Sequence, residues 1–270
     1  MSTPTLLQTR NPHERDSHIV FDEEPHKYYI DGDDNYVSVT SLIHKQFAPF
    51  DADKIIERMM SSARWPQNKY FGMEAHEIKA LWDKNRDEAA SAGTKLHYDI
   101  ECFYNEITVE NSSDEYKQFL SFYKKHQDKT PYRTEWMVWD KEYRIAGSID
   151  MTFINEDGSI DIYDWKRSKE IKTSNRWQYA TTECISHIPD SNFWHYSLQL
   201  NIYKFLLEKN YGKTIKDMYL VVMHPNQKKY QRYKVPELST EVKELFDLRL
   251  KDVKRMERIQ NISNCALQED

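Results

Sequence analysis

The sequence predicts an α/β fold: one sheet-centred core with a helical elaboration on its amino-terminal side. Three observations predict it. From residue 132 the apolar positions pass from helical spacing to strict alternation, over 133–139, 145–154 and 159–165. Residues 218–223 form a near-continuous apolar run, as expected of a strand covered on both faces. The order of helices, three strands, helix and strand describes one layered core rather than separate helical and sheet units. Composition allows it: 39% of the 270 residues are hydrophobic, 13% are aromatic and only 6 are glycine, which excludes a mainly disordered or collagen-like chain.

The elements follow in order. Residues 1–17 carry Arg10, Glu14, Arg15 and Asp16 with no apolar stretch behind a basic head. They read as a flexible tail, and as neither a secretory signal nor a transit peptide. Residues 18–40 read as a small antiparallel unit: 19–21 and 27–30 flank an acidic turn, and Asp31-Gly32-Asp33-Asp34 turns the chain into a β-branched stretch at 36–39. Asp51 is placed to cap a helix over 52–60 that has Ile55, Ile56 and Met59 on one face. Residues 73–105 predict two helices broken near Asn85-Arg86, the second with Leu96, Ile100 and Phe103 at i, i+4 and i+7; 114–126 predicts another amphipathic helix. Asn155-Glu156-Asp157-Gly158 is a hairpin turn between the second and third strands. Residues 167–193 are polar and irregular, 194–210 return to a helix that Tyr211-Gly212 stops, 230–235 form a further strand and 240–259 a closing helix. The expected division is a tail at 1–17, a hairpin and helical elaboration at 18–90, the core at 91–260 and a second tail at 261–270.

Several classes are excluded. The net charge of −6 rules out a general polycation, so any nucleic acid must bind a local basic groove. No apolar run approaches the ~20 residues of a membrane helix, and no membrane partner is expected. Cys102, Cys184 and Cys265 are odd in number and form no CxxC pair, so neither a zinc ribbon nor a disulfide framework is indicated and the expected setting is a reducing, intracellular one.

The chemistry concentrates on the strand at 159–165 and the lysine after it. Alternation puts Ile160, Ile162, Asp164 and Lys166 on one face, so an apolar face ends in a carboxylate and an ammonium. Such a pair on a buried face is costly unless it is paired or binds something. A divalent cation held by Asp164, with Lys166 beside an attacking water, gives it a task; a plain ion pair at a strand end is the competing reading. The chain repeats acid-x-Lys elsewhere, as at Glu77/Lys79 and Glu241/Lys243, but only here does it end an apolar strand. The hairpin brings Asp150 beside Asp164, and two close carboxylates repel unless a cation lies between them. Gly147 permits close approach. On a helix, His97 and Glu101 stand four apart and share a face, as do Gln199 and Tyr203; ordinary packing, or a His97–Glu101 pairing, is the alternative for each.

Together these pieces resemble the PD-(D/E)XK nuclease superfamily, in particular its RecB-like exonuclease branch, over about residues 90–225. The matching motifs stand in family order: Gly93-x-x-x-His97, the strand acid Glu135, Gly147-x-x-Asp150, Asp164-x-Lys166 and Gln199-x-x-x-Tyr203. Residues 18–70, with Ser38-Val-Thr-Ser41, also look like the amino-terminal part of relatives in large DNA viruses. The resemblance implies a restriction-endonuclease-like core with a mixed central sheet flanked by helices. It implies that His97, Asp150, Asp164 and the backbone carbonyl of Trp165 bind Mg²⁺ or Mn²⁺, that Lys166 positions or helps deprotonate water, and that Glu135 orients water or a second metal. It implies that Gln199 and Tyr203 hold the DNA backbone and that products carry 5′-phosphates. Iron–sulfur members of the branch carry four cysteines; the three here imply no cluster.

Residues 166–196 interleave cations and rings, among them Arg167, Lys169, Arg176 and Trp177, which suits phosphates and unpaired bases. The expected function is therefore a metal-dependent DNA nuclease, an exonuclease on ends or single strands in replication, recombination or repair. An endonuclease on RNA or branched DNA and a noncatalytic nucleic-acid-binding module are the alternatives. Oligomeric state is not fixed by the sequence.

Overall fold

The computed structural model describes residues 5–266, the side chains of residue 260 and of 263–266 excepted. Its centre is a six-stranded mixed sheet. Strand β4 (Thr130–Asp140) and β5 (Ile145–Ile154) form a long antiparallel ribbon. On the other edge of β5 lie two partners: β3 (Val37–Ser38), parallel to Ile145–Ala146, and β6 (Ile160–Arg167), antiparallel to residues 151–154. Then come β7 (Ile215–Met223), parallel to β6, and β8 (Gln231–Lys234).

Helices cover both faces. Alternation sends Ile160 and Ile162 into one core with α2 (Val39–His44), α6 (Asn192–Asn210) and α7 (Ser239–Ala266). Tyr163 and Trp165 enter the other with α4 (Ala75–Tyr104) and α5 (Asp114–Lys125). Asp51 caps α3 (Ala52–Met60), its carboxylate accepting from the Lys54 amide at 3.0 Å. The remaining elements are α1 (Leu6–Arg10) and the hairpin of β1 (Ile19–Asp22) and β2 (Lys27–Ile30). Among the described residues no helix is long and apolar enough to cross a membrane.

Two features of the sheet position the site. First, β5 and β6 are paired only from Met151 and Tyr163 toward their turn, then part, leaving a fork. Second, β5 changes face at Asp150: Ile145 and Ile149 join the α6 side, whereas Met151 and Phe153 join the α4 side. Opposite this switch, between the pairs Thr134–Met151 and Trp136–Ile149, Glu135 holds a φ of 41°. A non-glycine residue in the left-handed region inside a strand is strained, and such strain concentrates at functional positions.

The structure corrects four expectations. Residues 5–17 are not a loose tail: Leu7 is buried, and Arg133 reaches the Asp16 carboxylate at 2.8 Å and the Asn11 carbonyl at 2.8 Å. Residues 1–4 of that expected tail, and 267–270 of the second, lie outside the described residues, and α7 runs on to Ala266. The strand expected at 36–39 is only two residues long, because Ser38 accepts from the Ser41 amide at 3.1 Å and starts α2. The two helices expected over 73–105 are one: Asn85 and Arg86 lie on an exposed stretch with no breaker, and Glu74 and Glu77 cap its start reciprocally. The boundary expected at 90/91 therefore falls within α4, and β3 and α2 belong to the core although they precede it.

Candidate active site

The fork between β5 and β6 collects side chains from four elements. Where the ladder opens, the Asp150 carboxylate replaces a strand partner: its Oδ2 accepts from the Trp165 amide at 2.9 Å. His97 comes from α4, with Nδ1 3.5 Å from Asp150 Oδ2 and 3.9 Å from Glu135 Oε1. The strained backbone at Glu135 turns its carboxyl to the same point, where Ser148 Oγ donates to Oε2 at 2.8 Å. One donor atom from each of His97, Glu135 and Asp150 lies within 4.8 Å of the others. Asp164 stands beside them and faces Lys166, whose Nζ is 3.0 Å from Oδ1 and 2.8 Å from Oδ2. The same Nζ lies 4.6 Å over the Tyr196 ring of α6, a cation–π contact.

The electrostatics are those of crowded acids lacking countercharge. Burial pushes Asp164 up to about 7, against the pull of Lys166 and with the push of Asp150. Burial and then Asp150 raise Glu135 well above the carboxylate range, and burial raises Asp150 also. Burial alone lifts Glu101 to about 7. Against the pull of burial, Asp164 and Asp150 raise Lys166 and keep it charged. Burial, then Lys166, lowers His97 to about 4, so its imidazole is neutral at pH 7, the state that can ligate a metal; its ring also bonds to the Trp165 backbone. Neutral imidazole, several hard oxygens and a local excess of negative charge fit a divalent cation.

The residues that the sequence singled out are placed unequally. His97, Glu135, Asp150, Asp164, Trp165 and Lys166 meet at the fork. Glu135 stands among the candidate metal donors rather than beside them, while both Asp164 oxygens are engaged by Lys166. Gln199 and Tyr203 are not at the surface. Both are buried, Gln199 Nε2 donates to the Tyr203 hydroxyl at 3.4 Å, and Tyr203 packs on the bare face of Gly147, so they support the sheet rather than present groups to a DNA backbone. Arg167 is mostly buried in an ion pair with Glu115 at 2.6 Å, which withdraws it from a phosphate-binding role. Lys169, Arg176 and Trp177 are exposed, Trp177 to 90%. Their segment is nonetheless tied down: Asn175 donates to the Asp190 carbonyl, Trp194 to the Thr173 carbonyl, and the Thr181 amide to the Gln46 carbonyl.

Three contributors escaped the sequence. Glu101 shares the face of His97 but is buried in the acid cluster rather than solvated. Ser148 orients Glu135. Tyr28, from the β1–β2 hairpin, is near enough to Glu135 and Asp150 that their charges, after burial, raise its phenol; nothing local in the sequence announces it.

A sequence profile of the PD-(D/E)XK nuclease superfamily matches residues 51–269. The chain belongs to this superfamily. Its members use divalent metals, and the fork supplies the donors for one; the protein is a metal-dependent nuclease with the restriction-endonuclease-like α/β fold. Two solved structures are partly similar. SSO0001 shares 17% identity, covering 81% of this chain and 77% of its own, with a TM-score of 0.37. The "Putative exonuclease" of Eubacterium rectale shares 9%, covering 84% and 82%, with a TM-score of 0.36. Such scores carry no argument, and the family assignment rests on the sequence match. No curated protein matches the chain significantly.

Proposed function

We propose that the protein is a DNA nuclease that uses Mg²⁺ or Mn²⁺, works from ends or on single strands, and leaves 5′-phosphates. The observation that carries the substrate reading is the anchored segment after β6. It holds Trp177 at 90% exposure and Lys169 and Arg176 in solvent, directly downstream of Lys166. An exposed indole on a fixed backbone suits stacking on an unpaired base, with cations tracking phosphates. A duplex keeps its bases stacked inside and offers such a ring little.

Within the fork, His97, Asp150, Glu135, the Trp165 carbonyl and Asp164, once one of its oxygens is released by Lys166, would hold the cation. When bound, the ion neutralises the phosphate and lowers the pKa of water. The chain's own groups do the rest. Lys166, held charged by Asp164, holds the attacking water and faces the negative charge that grows on the phosphoryl oxygens. Glu135, whose protonated and ionised forms are close in energy near neutral pH, takes a proton from that water. The water oxygen bonds to phosphorus, the P–O3′ bond breaks, and the leaving 3′ oxygen is protonated.

Digestion of labelled DNA with Mg²⁺ or Mn²⁺ tests this. Asp164→Ala and Lys166→Ala should each lower the rate by about 10²–10⁴-fold. Undiminished hydrolysis in both contradicts the site. Circular single-stranded DNA should stay intact; its cleavage, or a preference for RNA, would show an endonuclease or ribonuclease instead. Absence of any cation binding by calorimetry would point to a noncatalytic binding module.

A further inference from the structure

Two glycines flank the fork, and the protein accounts for only one of them. At Gly147 an added Cβ would lie 2.8 Å from Tyr203 Cε1, 3.0 Å from its hydroxyl and 3.1 Å from Val39 Cγ2. Intramolecular packing therefore demands glycine there. Gly93 is different. It sits inside α4, where glycine is among the least favourable residues. Its backbone is helical, and an added Cβ would meet no atom within 4 Å. Nothing in the chain requires the side chain to be missing.

Gly93 is also not on a neutral stretch. It stands one turn before His97 on the same face of α4, so it borders the approach to the donor group of His97, Glu135 and Asp150. From Leu96 onward the helix enters the core, whereas residues 83–95 stand outside it, half-buried or exposed. Gly93 thus lies where the helix leaves the protein and passes the mouth of the site. The facing wall is close: the Lys169 ammonium acts on the phenol of Tyr70, which donates nothing to the core but receives a hydrogen bond from Trp82 of α4 at 2.9 Å. The lane between α4 and the segment after β6 is therefore narrow, and one methylene on its wall matters.

We infer that Gly93 is a substrate-contact position: its bare helical backbone forms the wall along which the sugar–phosphate chain of a nucleic acid slides in van der Waals contact on its way to His97. This rests on the nuclease reading above. A sugar–phosphate backbone is the ligand class that fits, because a site for it must be a lane open along its length, and a side chain at Gly93 would stand in that lane.

The test is a series, Gly93→Ala and Gly93→Leu, on the full chain, with single-stranded oligonucleotide hydrolysis and thermal melting read together. Both residues favour a helix more than glycine does, so the melting midpoint should hold or rise. KM should rise at least tenfold for alanine and further for leucine, with kcat within about threefold of wild type and Mn²⁺ affinity by calorimetry unchanged. Unchanged KM in both variants overturns the inference, as does a loss confined to kcat or a loss of Mn²⁺ affinity, since each would place the effect in chemistry or in His97 rather than in contact. A wild type that hydrolyses no nucleic acid fails the nuclease reading itself, and the inference falls with it; the two failures are distinguishable because the second appears before any variant is made.

Discussion

The residues of the fork sit in an arrangement that is unfavourable without a cation, and this has a sign. Asp164 and Glu101, each raised to about 7, have ordinary values of 3.8 and 4.5. The folded state therefore binds their protons more tightly than the unfolded state does. Their contribution is favourable below the ordinary values and is lost as pH rises through the folded ones. Metal-free protein should lose thermal stability between pH 5 and pH 8, and Mn²⁺ added at pH 8 should restore it. In Asp164→Asn with Glu101→Gln the fall should shrink; an identical pH profile in that variant would show that these acids are not under strain. Much of this was legible: alternation and the hairpin put Asp150 beside Asp164. The turn of Glu135 into the site was not, because a φ of 41° arises from a switch of faces shared by two strands and no residue type signals it.

Elements matter here through how they are tied together. Residues 14–18 form a short 3-10 turn that delivers Asp16 to Arg133 on β4, where the guanidinium is almost fully buried. Removing one partner of such a pair leaves a buried charge uncompensated, so Asp16→Ala should lower unfolding free energy by about 3 kcal/mol or more. Chemical denaturation checks this; a change under 1 kcal/mol would mean that the segment is loosely attached. The pairing spans 117 residues of sequence, which is why local composition suggested a tail. The segment after β6 gives the opposite expectation. Trp177 is exposed and packs on little, so Trp177→Ala should leave the melting midpoint unchanged while weakening single-stranded oligonucleotide binding by about 1–3 kcal/mol, read by fluorescence anisotropy. Equal binding by the variant would remove the stacking role. For α4, one continuous helix was missed because a stretch that projects from the core has no apolar stripe to read, although Leu96 and Ile100 marked its buried part.

At the scale of the whole molecule, the sheet works as a frame with a deliberate opening. Its strands were read nearly to the residue at β5 and β6, because period-two alternation and the Asn155–Gly158 turn are local signals. The parting of β5 from β6 was not, since it depends on β3, α2 and α6 occupying the space between them. The burial of Gln199 and Tyr203 follows from the same packing: the molecule uses them beneath the opening, not across it. A net charge of −6 means that attraction for nucleic acid must be local to the mouth of the fork. The most direct test of the account is anomalous diffraction from crystals soaked in Mn²⁺. It predicts one dominant peak within bonding distance of His97, Glu135 and Asp150, lost in Asp150→Asn; a saturated crystal with no peak at the fork would contradict it.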